Sequence, residues 1–257
     1  AAYCRDLVFK HDHDHYLASL FLPANKRAVS WGLRAFNIEL ANIRESVRDD
    51  TLGRMRFQFW RDTIDSIHRG QTPNHPVAVM LAAGVHEFGL GAHRLKRVVN
   101  GRQDNFLTRQ YPSIDAIEEY AESTASTLMY LHLELQGVKS LEIDHIASHL
   151  GKAATMATLL RGTPFHLRSR LFYLPADVCA SNGVVVEKVI RDGPSDELSS
   201  AVFELATRAN DHIITARTHV EKDGTSVKGP AMAALLPVVP TSRWLRRLEK
   251  ADFDLFQ

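Results

Sequence analysis

Two cysteines in 257 residues leave little room for a disulfide framework. Cys4 and Cys179 stand in no metal-binding or redox spacing, which argues against a stapled secreted domain and suits a reducing compartment. Long apolar runs are also missing. Charge breaks each candidate within about ten residues, short of the roughly twenty that a membrane-spanning helix needs. Nor does one sign of charge dominate: 31 Lys and Arg face 30 Asp and Glu, for a net charge of +1 with the 13 histidines neutral. Composition therefore gives no push toward nucleic acid, whose binders carry a marked basic excess. The chain opens Ala1-Ala2-Tyr3-Cys4 with no signal-like segment, as expected of a trimmed or mature form. What is present is ordinary for a globular protein: 45% hydrophobic and 24% charged residues, enough to bury a sizeable core. No repeat, low-complexity tract or convincing linker divides the chain, so one domain over residues 1–257 is expected.

The dominant period is helical. Phe36, Leu40, Ile43 and Val47 recur at three- and four-residue steps and share one face, as do Phe57, Trp60, Ile64 and Ile67. Gly70 and Pro73 end the second helix, and Val77, Met80, Leu81 and Phe88 mark a third that stops near Gly89. Ser113 is a fitting N-cap, with Asp115, Glu118 and Glu119 where the helix dipole favours negative charge. Ile114, Ile117, Ala121, Thr124, Leu128, Leu131 and Leu135 then form a single stripe that Gly137 closes. A further helix is expected from about Leu141 to Arg161. Its small-sided middle, Ala147-Ser148 and Gly151 to Ala154, places it centrally in a bundle. Residues 162–195 hold Gly162, Pro164, Pro175, Gly183 and Pro194 and read as irregular, with Val184 to Val186 as an isolated candidate strand. Ser195 caps a long helix with Leu198, Val202, Leu205, Ala209 and Ile213 as its stripe. Pro237 and Pro240 precede a short terminal helix around Trp244. The expected class is all-α, a helical bundle.

Several clusters carry candidate chemistry. In His11-Asp12-His13-Asp14-His15, a continuous helix would put His11 and His15 on one face, the spacing of a metal pair, but no further ligand supports them. Asp62 and Asp65 lie opposite the apolar stripe of their helix, as a solvated face would. Phe57, Phe59 and Trp60 fit either a cavity wall or plain core. Arg243-Trp244-Leu245-Arg246-Arg247-Leu248 is basic and amphipathic, suited to an anionic membrane surface or to a terminal helix docked through Trp244.

Two stretches bring in a family. Leu22-Pro23-Ala24-Asn25-Lys26-Arg27, followed by Ala35-Phe36-Asn37, resembles the squalene/phytoene synthase pattern of a Leu-Pro-x-x-x-Arg turn entering an aromatic-bearing helix. Leu159-Leu160-Arg161 followed by Tyr173-Leu174-Pro175 resembles that family's second signature. The resemblance implies the isoprenoid synthase bundle, with an apolar cavity for which Phe36, Phe57, Trp60 and Tyr173 are candidate lining. It also implies a site where carboxylates four residues apart on facing helices hold Mg²⁺ against a departing diphosphate.

Carried over residue by residue, the first acidic motif falls on Ala41, Asn42 and Glu45, and the second on Gly162 and His166. Only Glu45 keeps a carboxylate. Thr158 stands where the family has Asn, and Arg161 is retained. Histidine is a poor ligand for hard Mg²⁺. The degenerate-site positions are therefore Ala41, Asn42, Glu45, Thr158, Arg161, Gly162 and His166, and no catalytic, metal or cofactor residue is assigned among them. The sequence is similar to a branch of the family with the same departure, mitochondrial proteins that assist assembly of respiratory complex I. The shared stretches are Ala35-Phe36-Asn37-Ile38-Glu39, Arg56-Phe57-Gln58-Phe59-Trp60-Arg61-Asp62 and Leu159-Leu160-Arg161-Gly162-Thr163-Pro164. This resemblance implies a non-enzymatic assembly factor at the matrix face of the inner membrane. Its partners would be complex I membrane-arm subunits or other assembly factors, with peripheral membrane contact, no cofactor and no nucleic acid. Two alternatives stand beside it. One is a family enzyme with an altered site, recruiting Asp49 or Asp50 beside Glu45; the other is a lipid-binding protein using the old prenyl cavity.

Overall fold

The structure, a computed structural model, describes residues 1–47, 49–222, 227 and 229–257, and every regular element among them is helical. In order these are α1 (Ala2–His11), α2 (His13–Ser19), α3 (Ala24–Ser46), α4 (Asp50–His68), α5 (Pro76–Phe88), α6 (Ala92–Asp104), α7 (Ile114–Ala121), a π-turn (Glu122–Ser126), α8 (Thr127–Gln136), α9 (Leu141–Leu167), α10 (Ala176–Ser181), α11 (Val186–Asp192), α12 (Asp196–Lys222), α13 (Pro230–Leu235) and α14 (Val238–Lys250).

The punctuation follows local chemistry. Ser113, Ser140 and Ser195 accept from the backbone N–H groups of Ala116, Ile143 and Leu198, each three residues on. Gly89 and Gly137 close α5 and α8 at φ of 73° and 78°, the left-handed conformation that costs glycine no Cβ clash.

Three apolar clusters fill the bundle. The first joins α3 to α6, with the Phe36 ring edge-on to Trp60 at 5.1 Å and Phe57 to Phe106 at 5.6 Å. The second lies between α9 and α12, around Leu160, Val202, Leu205 and Ala209. The third packs Leu133 of α8, Ile146 and Ala147 of α9 and Leu235 of α13. Helix α9 is central, as its small residues imply. A Cβ on Gly151 would sit 2.6 Å from the backbone of Ser126, and Ser126 Oγ donates to the carbonyl of Ser148 at 3.1 Å.

The structure departs from the sequence reading in five places. The helix expected from 114 to 136 contains the π-turn, while Ile117, Ala121, Thr124, Leu128, Leu131 and Leu135 all remain buried. Helix α9 does not end at Arg161 but runs through Gly162 and Pro164 to Leu167; burial of Thr163 and Leu167 overrides the local helix breakers. Val184 to Val186 forms no strand. Val184 N–H bonds back to the Cys179 carbonyl after the turn at Gly183, and Val186 opens α11. His11 and His15 do not share one helix, because the chain breaks at Asp12 (φ −149°) between α1 and α2. Pro240 lies inside the first turn of α14, where its missing N–H has no intrahelical partner to lose.

Candidate functional site

One face of α3 and one face of α9 meet across a cavity of about 390 Å³. Helix α3 contributes Arg34, Asn37, Ile38, Ala41, Asn42 and Glu45, a helical series on a single side. Helix α9 contributes Ala154, Ala157, Thr158 and Arg161 in the same way. The break between α1 and α2 supplies His11, Asp12, Asp14 and His15, and Trp244 of α14 closes another side.

The wall is organised around one carboxylate. Arg34 Nε donates to Asp12 Oδ2 at 2.6 Å, and the His15 ring nitrogen Nδ1 lies 2.7 Å from Oδ1. Burial pushes the Asp12 carboxyl up, but the charges of Arg34 and His15 outweigh it and hold the group well below the usual carboxylate range. For His15 burial dominates and Arg34 adds to it, so its pKa is lowered in spite of Asp12. The ionised carboxylate can only accept, so His15 Nδ1 donates to Asp12. The polar groups of this wall hold one another.

Five of the sequence-derived positions, Ala41, Asn42, Glu45, Thr158 and Arg161, line this one cavity. The Thr158 hydroxyl is turned back to the Ala154 carbonyl at 2.7 Å. Gly162 and His166 are not part of the lining. His166 packs edge-on to Tyr173 at 4.8 Å, and burial, then the charge of Arg44, lowers its pKa, with Glu45 opposing. Arg44 itself lies over the Tyr173 ring at 5.2 Å. Phe36, Phe57 and Trp60 sit in the first apolar cluster and Tyr173 in the second, all four outside this lining because packing has closed around their rings. Asp49 caps α4 by accepting from Leu52 N–H, and Asp50 pairs with Arg54 at 2.9 Å; neither reaches the cavity. Asp62 accepts from Gln58, and Asp65 pairs with Lys96, both on the outer face of α4.

Among the lining residues that the sequence reading did not place here, the charged and histidine side chains are Arg34, Asp12, Asp14, His11 and His15. Arg34 was accessible, lying seven residues before Ala41 on the same helix face. The His-Asp run was visible as a cluster, but no local signal tells that the chain turns at Asp12 to face α3.

Solved structures with the same arrangement of helices define the class. The squalene synthase HpnC from Alicyclobacillus acidocaldarius superposes with a TM-score of 0.85 at 15% identity, over 98% of this chain and 94% of that one. A dehydrosqualene synthase gives 0.84 at 20% identity, over 100% and 88%. The fold is thus that of the all-helical isoprenoid synthases. The squalene/phytoene synthase family model matches residues 8–257, and the chain belongs to that family. Among curated relatives, the Bos taurus protein named NADH dehydrogenase (ubiquinone) complex I, assembly factor 6 is 39% identical over 254 residues, 99% of this chain and 75% of its own length. The Homo sapiens protein of that name is 38% identical over the same span. The phytoene synthase of Cereibacter sphaeroides is 25% identical over 217 residues, 82% of this chain and 61% of its own.

The Mg²⁺ associated with diphosphate chemistry needs several hard oxygen ligands converging on one point. Here Asp12 is committed to Arg34 and His15, and no group of three His, Cys, Asp or Glu side chains among the described residues is placed to hold a metal ion. The donor set does not fit the ion.

Proposed function

We propose that this chain is a non-enzymatic assembly factor for mitochondrial respiratory complex I, built on a prenyl-synthase bundle. The observation that carries the reading is the 39% and 38% identity, across nearly all of the chain, to proteins named complex I assembly factor 6. The cavity supports it. On the family resemblance the acidic positions would fall on Ala41, Asn42 and Glu45 of α3 and Gly162 and His166 of α9, of which Ala41, Asn42 and Glu45 line the cavity and Glu45 alone is a carboxylate. In this reading the chain works at the matrix face of the inner membrane, with complex I membrane-arm subunits or other assembly factors as partners. No helix among the described residues is long and apolar enough to cross a membrane.

Two measurements test the reading. Cells lacking the chain should lose assembled complex I on native gels and regain it on re-expression; normal complex I in those cells removes the assembly role. The purified chain with Mg²⁺ and farnesyl diphosphate should release no diphosphate and show no Mg²⁺-dependent binding of a non-hydrolysable analogue by calorimetry. Turnover in that assay returns the chain to the enzymes of its family.

A further inference from the structure

A second concavity, of about 550 Å³, lies where α12 and the α13–α14 elbow cross the first half of α9. Its floor is apolar: Ile146 and Leu150 of α9, Ile213, Ala216 and Val220 of α12, and Leu235, Leu236 and Val238 from the elbow. Its rim carries Arg217 of α12 with Arg243 and Arg246 of α14. No carboxylate lines it, and none of the three arginines takes part in an ion pair among the described residues. Beside the arginines, Met232 and Val239 are exposed at 47% and 48%, and Ile214 on the next turn of α12 at 50%.

Of the two sequence readings of α14, the structure shows the terminal helix docked through Trp244. Leu245 and Leu248 are buried and Trp244 is half-buried against the second cluster, so the apolar side of α14 faces the core and is not free to enter a bilayer. The surface left available is composite. Its charge comes from two helices and its apolar area from the elbow and α12, which no single stretch of sequence displays.

We propose that this face docks on an anionic phospholipid leaflet. Headgroup phosphates would sit on Arg217, Arg243 and Arg246, while Met232, Val239 and the groove behind them take up acyl-chain carbon. Guanidinium groups bind phosphate oxygens in a bidentate fork, and each basic side chain at such a surface strengthens attachment about fivefold. Three arginines, no carboxylate among the described lining residues, and the apolar residues between them are the complement of a negatively charged interface. The proposal rests on the assembly-factor reading only for its setting at the inner membrane; vesicle binding succeeds or fails independently of complex I assembly.

The test is flotation of the whole chain with vesicles of phosphatidylcholine alone and of equal parts phosphatidylcholine and phosphatidylglycerol. Binding is expected only to the anionic vesicles, weakening as salt rises. The triple variant Arg217→Glu, Arg243→Glu, Arg246→Glu should lower that partition by on the order of a hundredfold or more. Val239→Asp should also weaken it while leaving the arginines in place. Arg191→Glu, on α11 and outside the groove, serves as a single charge-reversal control and should float like the parent. Unchanged helical circular dichroism in each variant excludes misfolding. Equal binding to both vesicle types, no binding to either, or a triple variant that floats normally overturns the proposal. So does a Val239→Asp variant that binds like the parent, or capture by the groove of an acidic amphipathic peptide but not of anionic vesicles.

Discussion

The two sides of α3 have opposite characters. One side carries Leu33, Phe36, Leu40 and Ile43, all within 3% of complete burial and locked into the first cluster by rings on α4. The other carries Arg34, Ala41, Asn42 and Glu45 on a water-accessible wall. The packed side is fixed by volume, since interiors tolerate little change in shape. The open side is fixed only by whatever chemistry it serves. Substitutions on the open side, at positions such as Ala41 and Asn42, should cost little while the opposite side of the same helix keeps its form. A bundle can therefore remain recognisable in shape while its site is replaced.

Substitutions sharpen this contrast in order of expected size. Gly151→Val should be the most severe, because the close approach of α9 to the backbone of Ser126 leaves no room for a side chain. The expected outcome is a loss of about 4 kcal/mol or more, read as the absence of a cooperative thermal transition. Phe36→Ala should cost about 3 to 5 kcal/mol in urea unfolding, from lost burial plus the cavity left against Trp60. Asp12→Ala should cost about 3 kcal/mol, since it strands Arg34 without its partner. The double variant Asp12→Ala, Arg34→Met should recover much of that loss. If it recovers nothing, the pair is not what holds the α1–α2 turn. Glu45→Ala, on the open side, should stay within about 0.5 kcal/mol. A larger loss there would mean the open wall is more constrained than its exposure indicates.

Acid separates the two kinds of site again. Burial, reinforced by the charge of Arg34, holds His132 down to about 3, and burial, then His212, holds His149 down to about 4. Each is neutral in the folded chain where the unfolded chain, titrating near 6.5, takes up protons. Their contribution to stability is complete above that value and declines as pH falls from about 6.5 toward 4. Asp12 behaves differently, because its folded pKa lies below its ordinary value of 3.8. Its contribution persists to about pH 4 and is lost only below that. Thermal melts from pH 7 to pH 4 should show a decline that Asp12→Asn leaves in place and His132→Asn reduces.

What the sequence made legible follows the same division. The stripes of α3, α4 and α12, the serine caps and the glycine stops are local, repeated signals, and each lies where it was read. The lengthening of α9 past Pro164 was hidden because it depends on burial of Thr163 and Leu167 by distant segments. The π-turn was hidden for another reason. Ala121, Thr124 and Leu128 are buried at three- and four-residue steps straight through it, so the apolar pattern carries no mark of the wider turn. Of the candidate site, the α3 and α9 positions were visible through the family pattern. The Asp12–Arg34 pair was not, since it joins a break in one helix to the middle of another.

Helix α9 is a 27-residue rod, about 40 Å long at 1.5 Å per residue, held near its middle at Gly151. The apolar groove touches it before that point, at Ile146 and Leu150, and the polar cavity touches it after, at Ala154 to Arg161. One helix is thus the shared wall of two concavities of opposite character, apolar on one side of Gly151 and polar on the other.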